Sequence, residues 1–381
     1  MISMQRYSGE HLGAAPHIVV LGSCKVGNFV VSTPVLQGIK QRFQDAIIGF
    51  IGSDVTADFE ESYSLIDWRV SWDNPSFEAG LKLQQLIFEK IRSYGDVQLA
   101  LNLDGFNFVT CSLVPWLRPR YVAGGSLTEN LRRSLPWGSL PQQRFLDDPD
   151  WSTKEFVERY KGIFSSNYIA ELFCQLAFVA DQVDSSQIQL PTEEVLFQVP
   201  DVLIHCTTAR SAKVWPFEFW RIVIDYLNAQ SFSVGLVGSA PAAQIESYNS
   251  GSGEDWLLEV TDLIDLRGQT SLIQLAGACK RAKAVISVDA GPLHIAGATG
   301  VPTLAVVGND VEEIGASPLS LWLPRCQSVQ RTVALFTCSV CAENRFRNDD
   351  CLVEGHPCMA SVAPQQVIDW LNGVLAVTSG R

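Results

Sequence analysis

Ser287-Val288-Asp289-Ala290-Gly291-Pro292-Leu293-His294-Ile295-Ala296-Gly297-Ala298 is the stretch whose reading decides the fold. Ala284-Val285-Ile286, just before it, is a short apolar run of the kind that forms a buried strand. Gly291 to Thr299 is rich in small residues and reads as a helix, Val301-Pro302 ends it, and Thr303 to Val307 reads as the next strand. An acidic residue therefore stands at a strand's carboxyl end, a glycine turn opens a helix, and a histidine lies in the helix's first turn. A helix start leaves backbone N–H groups unpaired and carries partial positive charge, and phosphate suits such a point. Taken alone, the stretch also fits an ordinary strand-turn-helix with a satisfied histidine.

Outward from it, strand-like and helix-like segments alternate to both ends of the chain. That alternation predicts α/β architecture with mostly parallel sheets. His17 to Leu21, Ala46 to Ile51 and Val97 to Leu103 read as strands of a first half. A loop follows the first of them, Gly22 to Asn28, and a helix is expected from near Thr33, with Thr33 as N-cap and Pro34 in its first turn. Val202 to Cys206, Ser233 to Val237 and Asp262 to Leu266 read as strands of a second half, with helices from Pro216 to Ala229 and Leu272 to Ala282. Helical periodicity fails between Gln187 and Pro200, where two prolines stand. The expected organisation is a flexible lead over residues 1–16, a first Rossmann-like domain over 17–190, a second over 200–360, and a terminal helix and tail over 361–381 that packs back toward the first domain. Two such domains facing each other across a cleft would place a ligand outside the strand carboxyl ends.

Composition narrows the class. A chain of 381 residues, 47% hydrophobic and 18% charged, is a folded protein large enough for two cores. A net charge of −13 argues against general nucleic-acid binding. No apolar run reaches the roughly 18 residues that suggest a membrane span, and Met1 to Pro16 contains no apolar block of the signal-peptide kind. Ten scattered cysteines then suggest reduced thiols in a cytoplasm. Arg118, Arg120, Arg132 and Arg133 lie close in sequence, and a solvated loop accounts for them.

Other segments carry chemistry. His205-Cys206-Thr207-Thr208 leads from a strand into a loop, and Lys213-Val214-Trp215-Pro216 precedes a helix. Two hydroxyls and an ammonium suit a diphosphate, with charged hydrogen bonds contributing about 1.5–3 kcal/mol each; an N-cap beside a surface lysine is the bland alternative. Together these residues resemble glycosyltransferase family 9, the heptosyltransferases, in which a hydroxyl-rich turn and Lys-x-Trp-Pro precede Asp-Thr-Gly-Pro-x-His. Asp289, Gly291, Pro292 and His294 match the second motif, and Ala290 replaces its threonine. The resemblance is strongest from Leu203 to Met359. It implies the GT-B fold and a nucleotide-sugar donor site comprising Thr207, Thr208, Lys213, Asp289, Ala290, Gly291, Pro292 and His294. Gly238-Ser239 and the Gly268 segment resemble the family's nucleotide-contacting segments. The acidic residue often found after the first of these glycines is missing, since Ala240-Pro241-Ala242 stand there.

In the first half, Lys25 to Pro34 resembles the family's Gly-Asp loop, whose Asp is proposed as general base. Here Asn28 stands at that position, and a carboxamide is not a useful base. Asp104, after the strand ending at Leu103 and before Gly105, is the candidate replacement; a helix cap is its alternative role. In the tail, Cys338-x2-Cys341-x9-Cys351-x6-Cys358 offers four thiols for a structural zinc or iron. The family resemblance supports that reading, while ordinary buried thiols remain the alternative.

The resemblance thus implies an inverting transferase that moves heptose or another sugar from a nucleotide-diphosphate donor to a hydroxyl of a glycan, glycolipid or protein. It would need no cofactor for chemistry, and would work in the cytoplasm or at the periphery of the inner membrane. A non-catalytic sugar-nucleotide-binding homologue or partner subunit is the rival reading, motivated by Asn28. A 2-epimerase also has two Rossmann-like domains, but the Lys-x-Trp-Pro and Asp-x-Gly-Pro-x-His pair points away from it. Base, acceptor and oligomeric state are not readable from the sequence.

Overall fold

A computed structural model describes residues 4–73, 77–247 and 251–378. The chain divides into two compact units, Met1–Gln189 and Leu190–Arg381. Residues 190–200 go with the second, where the Glu193 N–H donates to the Ile273 carbonyl at 3.0 Å.

The first unit contains β1 (Gln5–Arg6), β2 (His17–Leu21), β3 (Ile47–Gly52), β4 (Trp68–Ser71), β5 (Val97–Asn102) and β6 (Tyr121–Gly124). They form one sheet in the order β1-β6-β5-β2-β3-β4, parallel throughout. β2 is buried along its whole length, as a central parallel strand covered on both faces must be. The chain runs from β2 outward to β3 and β4, then returns to the other side of β2 for β5. The sheet therefore reverses between β2 and β5, and an open parallel sheet binds ligands at the carboxyl ends of such a reversal.

The second unit repeats the plan. It holds β7 (Val202–His205), β8 (Val234–Leu236), β9 (Ile264–Asp265), β10 (Ala284–Val288), β11 (Thr303–Val306) and β12 (Val329–Arg331). Their order is β12-β11-β10-β7-β8-β9, again parallel, and the reversal lies between β7 and β10. Trp215 and Trp220 fill its core at an interplanar angle of 83°.

Two expectations are corrected. The first helix does not begin near Thr33: it spans Val26–Arg42, with Thr33 and Pro34 buried inside it. Pro34 has no N–H for the Val30 carbonyl, and the Thr33 hydroxyl donates to that carbonyl at 2.8 Å, so the helix continues through the proline. The lead over residues 1–16 is not a loose segment from residue 4 onward. Gln5–Arg6 pair with β6, the Arg6 guanidinium donates to the Leu135 and Pro136 carbonyls, and Tyr7 is buried edge-on against Phe178; the first three residues lie outside the described ones. The terminal helix, Pro364–Thr378, seats Val367, Leu371 and Leu375 in the core of its own unit, where the Trp215 indole donates to the Val362 carbonyl at 2.9 Å. The helix after Asp289 spans Gly291–Thr299 as expected and ends at Gly300 in the left-handed conformation, one residue before Val301.

Candidate active site

In the second unit the loops after β7 and β10 meet at the sheet reversal. The Lys213 ammonium donates to the Asp289 carbonyl at 2.6 Å and to its Oδ2 at 3.2 Å, and the Thr208 hydroxyl donates to the same carbonyl at 3.3 Å. Burial by itself would raise the Asp289 carboxyl, but Lys213, His294 and Ser317 outweigh it and hold the carboxyl below its ordinary value. Asp289 is thus an anion that fixes the lysine.

His294 behaves in the opposite way. Burial drives its imidazole down to about 4 despite the Asp289 charge, with Lys213 adding to the fall. It is neutral near pH 7, and its buried Nδ1 has no hydrogen-bond partner. At the helix start, Ala290 is extended and caps nothing with its side chain. Pro292 has no N–H, and the Leu293 N–H closes on the Ala290 carbonyl at 3.1 Å. Gly291 is left to offer its N–H at the positive end of the helix. The Lys213 ammonium held on Asp289, with the Gly291 N–H and the neutral His294 imidazole in the first turn of the helix that follows, can receive a diphosphate.

Not every expected donor residue lies open in this cluster. Thr207 is fully buried, its hydroxyl beside the Glu254 carboxyl rather than open to a ligand. Gly238 and Gly268 belong to the β8 and β9 ends. The Gly268 N–H donates to the Gly238 carbonyl at 2.9 Å, and Ser239 beside them is exposed. Gly268 has φ +69°, and a Cβ there would meet Ala240 at 2.7 Å, so the turn requires glycine. Beneath them lies a hub that sequence reading missed. Arg267, almost wholly buried, pairs with Asp265 at 2.9 Å, Asp255 at 3.0 Å and Glu254 at 3.4 Å. The Leu266-to-Leu272 segment contained Arg267, but two of its carboxylate partners, Glu254 and Asp255, come from a separate helix, and no local pattern links them to it.

In the first unit the candidate base, Asp104, stands just past the carboxyl end of β5. Burial raises the Asp104 carboxyl above its ordinary value, against the Asn107 side chain and the Lys25 charge. The backbone around it is clamped: its N–H donates to Asn102 Oδ1 at 3.1 Å, and its carbonyl accepts from the Thr110 hydroxyl at 2.9 Å. The Asn102 amide, fully buried, donates in turn to the Gly125 carbonyl at 2.8 Å. A Cβ at Gly125 would fall 2.2 Å from the Gly105 carbonyl, so that close approach requires glycine too. Asn28, on the first helix, is a donor, its Nδ2 bonded to the Ser23 hydroxyl at 2.8 Å.

The tail cysteines gather without forming the expected metal set. Burial and the neighbouring thiols of Cys338, Cys351 and Cys341 push the Cys358 thiol up to about 11. Among the described residues, no three His, Cys, Asp or Glu side chains are grouped so as to hold a metal ion. Cys351 turns its thiol to the Val353 carbonyl at 3.3 Å, and Cys341 Sγ accepts from Asn348 Nδ2 at 3.3 Å. Among the described residues no cysteine is in a disulfide.

Among the described residues, no helix is long and apolar enough to cross a membrane. The chain is 20% identical over 315 residues to lipopolysaccharide heptosyltransferase 1 of Salmonella typhimurium, covering 76% of this chain and 88% of that protein. Its fold is similar to a glycosyl transferase family 9 structure from Veillonella parvula, with a TM-score of 0.70 at 16% identity, covering 97% and 99% of the two chains. It is also similar to E. coli heptosyltransferase WaaC solved with ADP, with a TM-score of 0.62 at 16% identity, covering 94% and 99%. The sequence profile of the family described as glycosyltransferase family 9 (heptosyltransferase) matches residues 107–320. Because that match takes in more than half of the chain, the protein belongs to glycosyltransferase family 9, on the GT-B fold.

Proposed function

We propose that the protein transfers a heptose or related sugar, with inversion, from a nucleotide-diphosphate donor to an acceptor hydroxyl on a glycan, glycolipid or protein. The observation that carries this reading is the Lys213–Asp289–His294 cluster at the second sheet's reversal. The ADP bound by the E. coli neighbour supports an adenine nucleotide. In the reaction the acceptor oxygen bonds to the anomeric carbon as the bond from that carbon to the diphosphate oxygen breaks. The proton of the acceptor hydroxyl goes to the Asp104 carboxylate, whose raised pKa makes it a better base. The charge growing on the leaving diphosphate meets the Lys213 ammonium and the Gly291 N–H, and neutral His294 gives or receives one hydrogen bond without adding charge. With these groups supplying the positive field, the chemistry asks for no metal.

Asn28, held as a donor to Ser23, favours the second reading, a protein that binds the donor without transferring its sugar. ADP-heptose labelled in the sugar separates the two. The transferase reading expects ADP release and label moved to acceptor, whereas binding with no ADP released over many hours supports the binding protein.

A further inference from the structure

Two aromatic rings stand exposed directly after Asp104: Phe106 is 67% and Phe108 73% exposed. Large apolar side chains left in water close together, one on a loop and one at the helix start that follows it, mark a candidate binding surface. The loop is rigid. The Asn107 N–H closes on the Asp104 carbonyl at 2.9 Å, and Asn107 Oδ1 accepts from the Val109 N–H at 2.9 Å, capping the helix Phe108–Leu113. The Phe106 ring leans on Trp151 with centroids 5.9 Å apart, and Trp151 in turn meets the buried Phe145 at 6.0 Å. A pre-ordered aromatic surface loses little conformational freedom when it binds.

We propose that Phe106 and Phe108 form the platform on which a neutral sugar ring of the acceptor stacks, so that the acceptor's specificity is set there. This inference rests on the reading of Asp104 as the base. An acceptor hydroxyl that reaches Asp104 brings its own ring over residues 105–108. One face of a pyranose is a row of C–H bonds, apolar and slightly positive, and it complements the negative face of an aromatic ring. Charge selects this occupant over a membrane. Residues 105–117 contain no Lys, Arg, Asp or Glu, whereas an anionic lipid surface is held by clustered basic side chains.

The experiment measures binding of a labelled, delipidated and dephosphorylated core oligosaccharide from bacterial lipopolysaccharide to the full chain, without donor. Phosphatidylglycerol vesicles are run in parallel. The platform predicts that Phe106→Ala and Phe108→Ala each weaken oligosaccharide binding at least fivefold, that Phe106→Trp retains it, and that none of the three changes the affinity for ADP-heptose. Equal oligosaccharide affinity in wild type and both alanine variants overturns the proposal. So does a wild type that ignores the oligosaccharide, or one that instead binds vesicles through these two residues. Because the assay contains no donor, failure of the transferase reading appears separately, as missing ADP-heptose turnover.

Discussion

Lys213→Ala tests the donor cluster through stability as well as binding. The ammonium makes two bonds to Asp289, at 2.6 and 3.2 Å, and the two side chains are only 16% and 10% exposed, so solvent screens the pair weakly. Two charged hydrogen bonds at about 1.5–3 kcal/mol each agree with the roughly 3–5 kcal/mol lost when one member of a buried ion pair is removed. The loss should depend on pH. In the wild type the Asp289 carboxyl is held below its unfolded value. It therefore contributes stability above that value, and the contribution is lost as pH falls through the depressed folded pKa. In the variant, burial acts without Lys213 and raises the same carboxyl, so the penalty is full near neutral pH and disappears as the group protonates. Urea unfolding at pH 7.5 and near pH 4 should show a gap between wild type and variant that narrows toward acid. The double variant Lys213→Ala/Asp289→Asn, which has no unpaired charge, should be more stable than Lys213→Ala at pH 7.5. A variant within about 1 kcal/mol of wild type at both pH values, or a double variant no more stable than the single, would refute the reasoning.

Ala290 sits at an extended N-cap without a side-chain cap. Ala290→Ser should therefore add about 0.5–2 kcal/mol, visible as a higher melting temperature, and an unchanged one would count against the capping geometry. His294 should act as a neutral hydrogen-bonding group. With its imidazole at about 4, ADP-heptose affinity should show no His-like step between roughly pH 5.5 and 8, and His294→Gln should retain more affinity than His294→Ala; a step near the ordinary histidine value contradicts this. Asp104→Asn should lower turnover by about 10²–10⁴ with donor affinity held, and wild-type turnover should fall as pH drops through the raised Asp104 pKa. Near-normal turnover in Asp104→Asn rules it out as base.

The central strands were legible because each is a continuous apolar run: β2, β5, β7 and β10 are buried almost end to end. The edge strands β1 and β12 were not. β1 and β12 have two and three residues, too few for any period, and pair only because the sheet edge is there to receive them. The first helix was read seven residues late because Gly27 and Asn28 look like loop and Pro34 looks like a first turn. Nothing local shows that the Thr33 hydroxyl takes up the Val30 carbonyl. At the proposed donor site Asp289, Gly291 and His294 fall within six residues and could be read together. The Arg267 hub could not, since its carboxylates come from Glu254, Asp255 and Asp265. The cysteine spacing was equally visible, but spacing does not fix side-chain direction, and Cys351 faces the Val353 carbonyl.

The most direct test of the donor-site assignment is calorimetric titration of ADP-heptose into wild type, Lys213→Ala and Asp104→Asn, at a temperature where all three are folded. The assignment predicts that Lys213→Ala weakens binding at least tenfold, about 1.4 kcal/mol, while Asp104→Asn binds as tightly as wild type. Lys213→Ala binding with wild-type affinity, or Asp104→Asn losing as much as Lys213→Ala, would contradict the placement of the donor at the β7/β10 reversal.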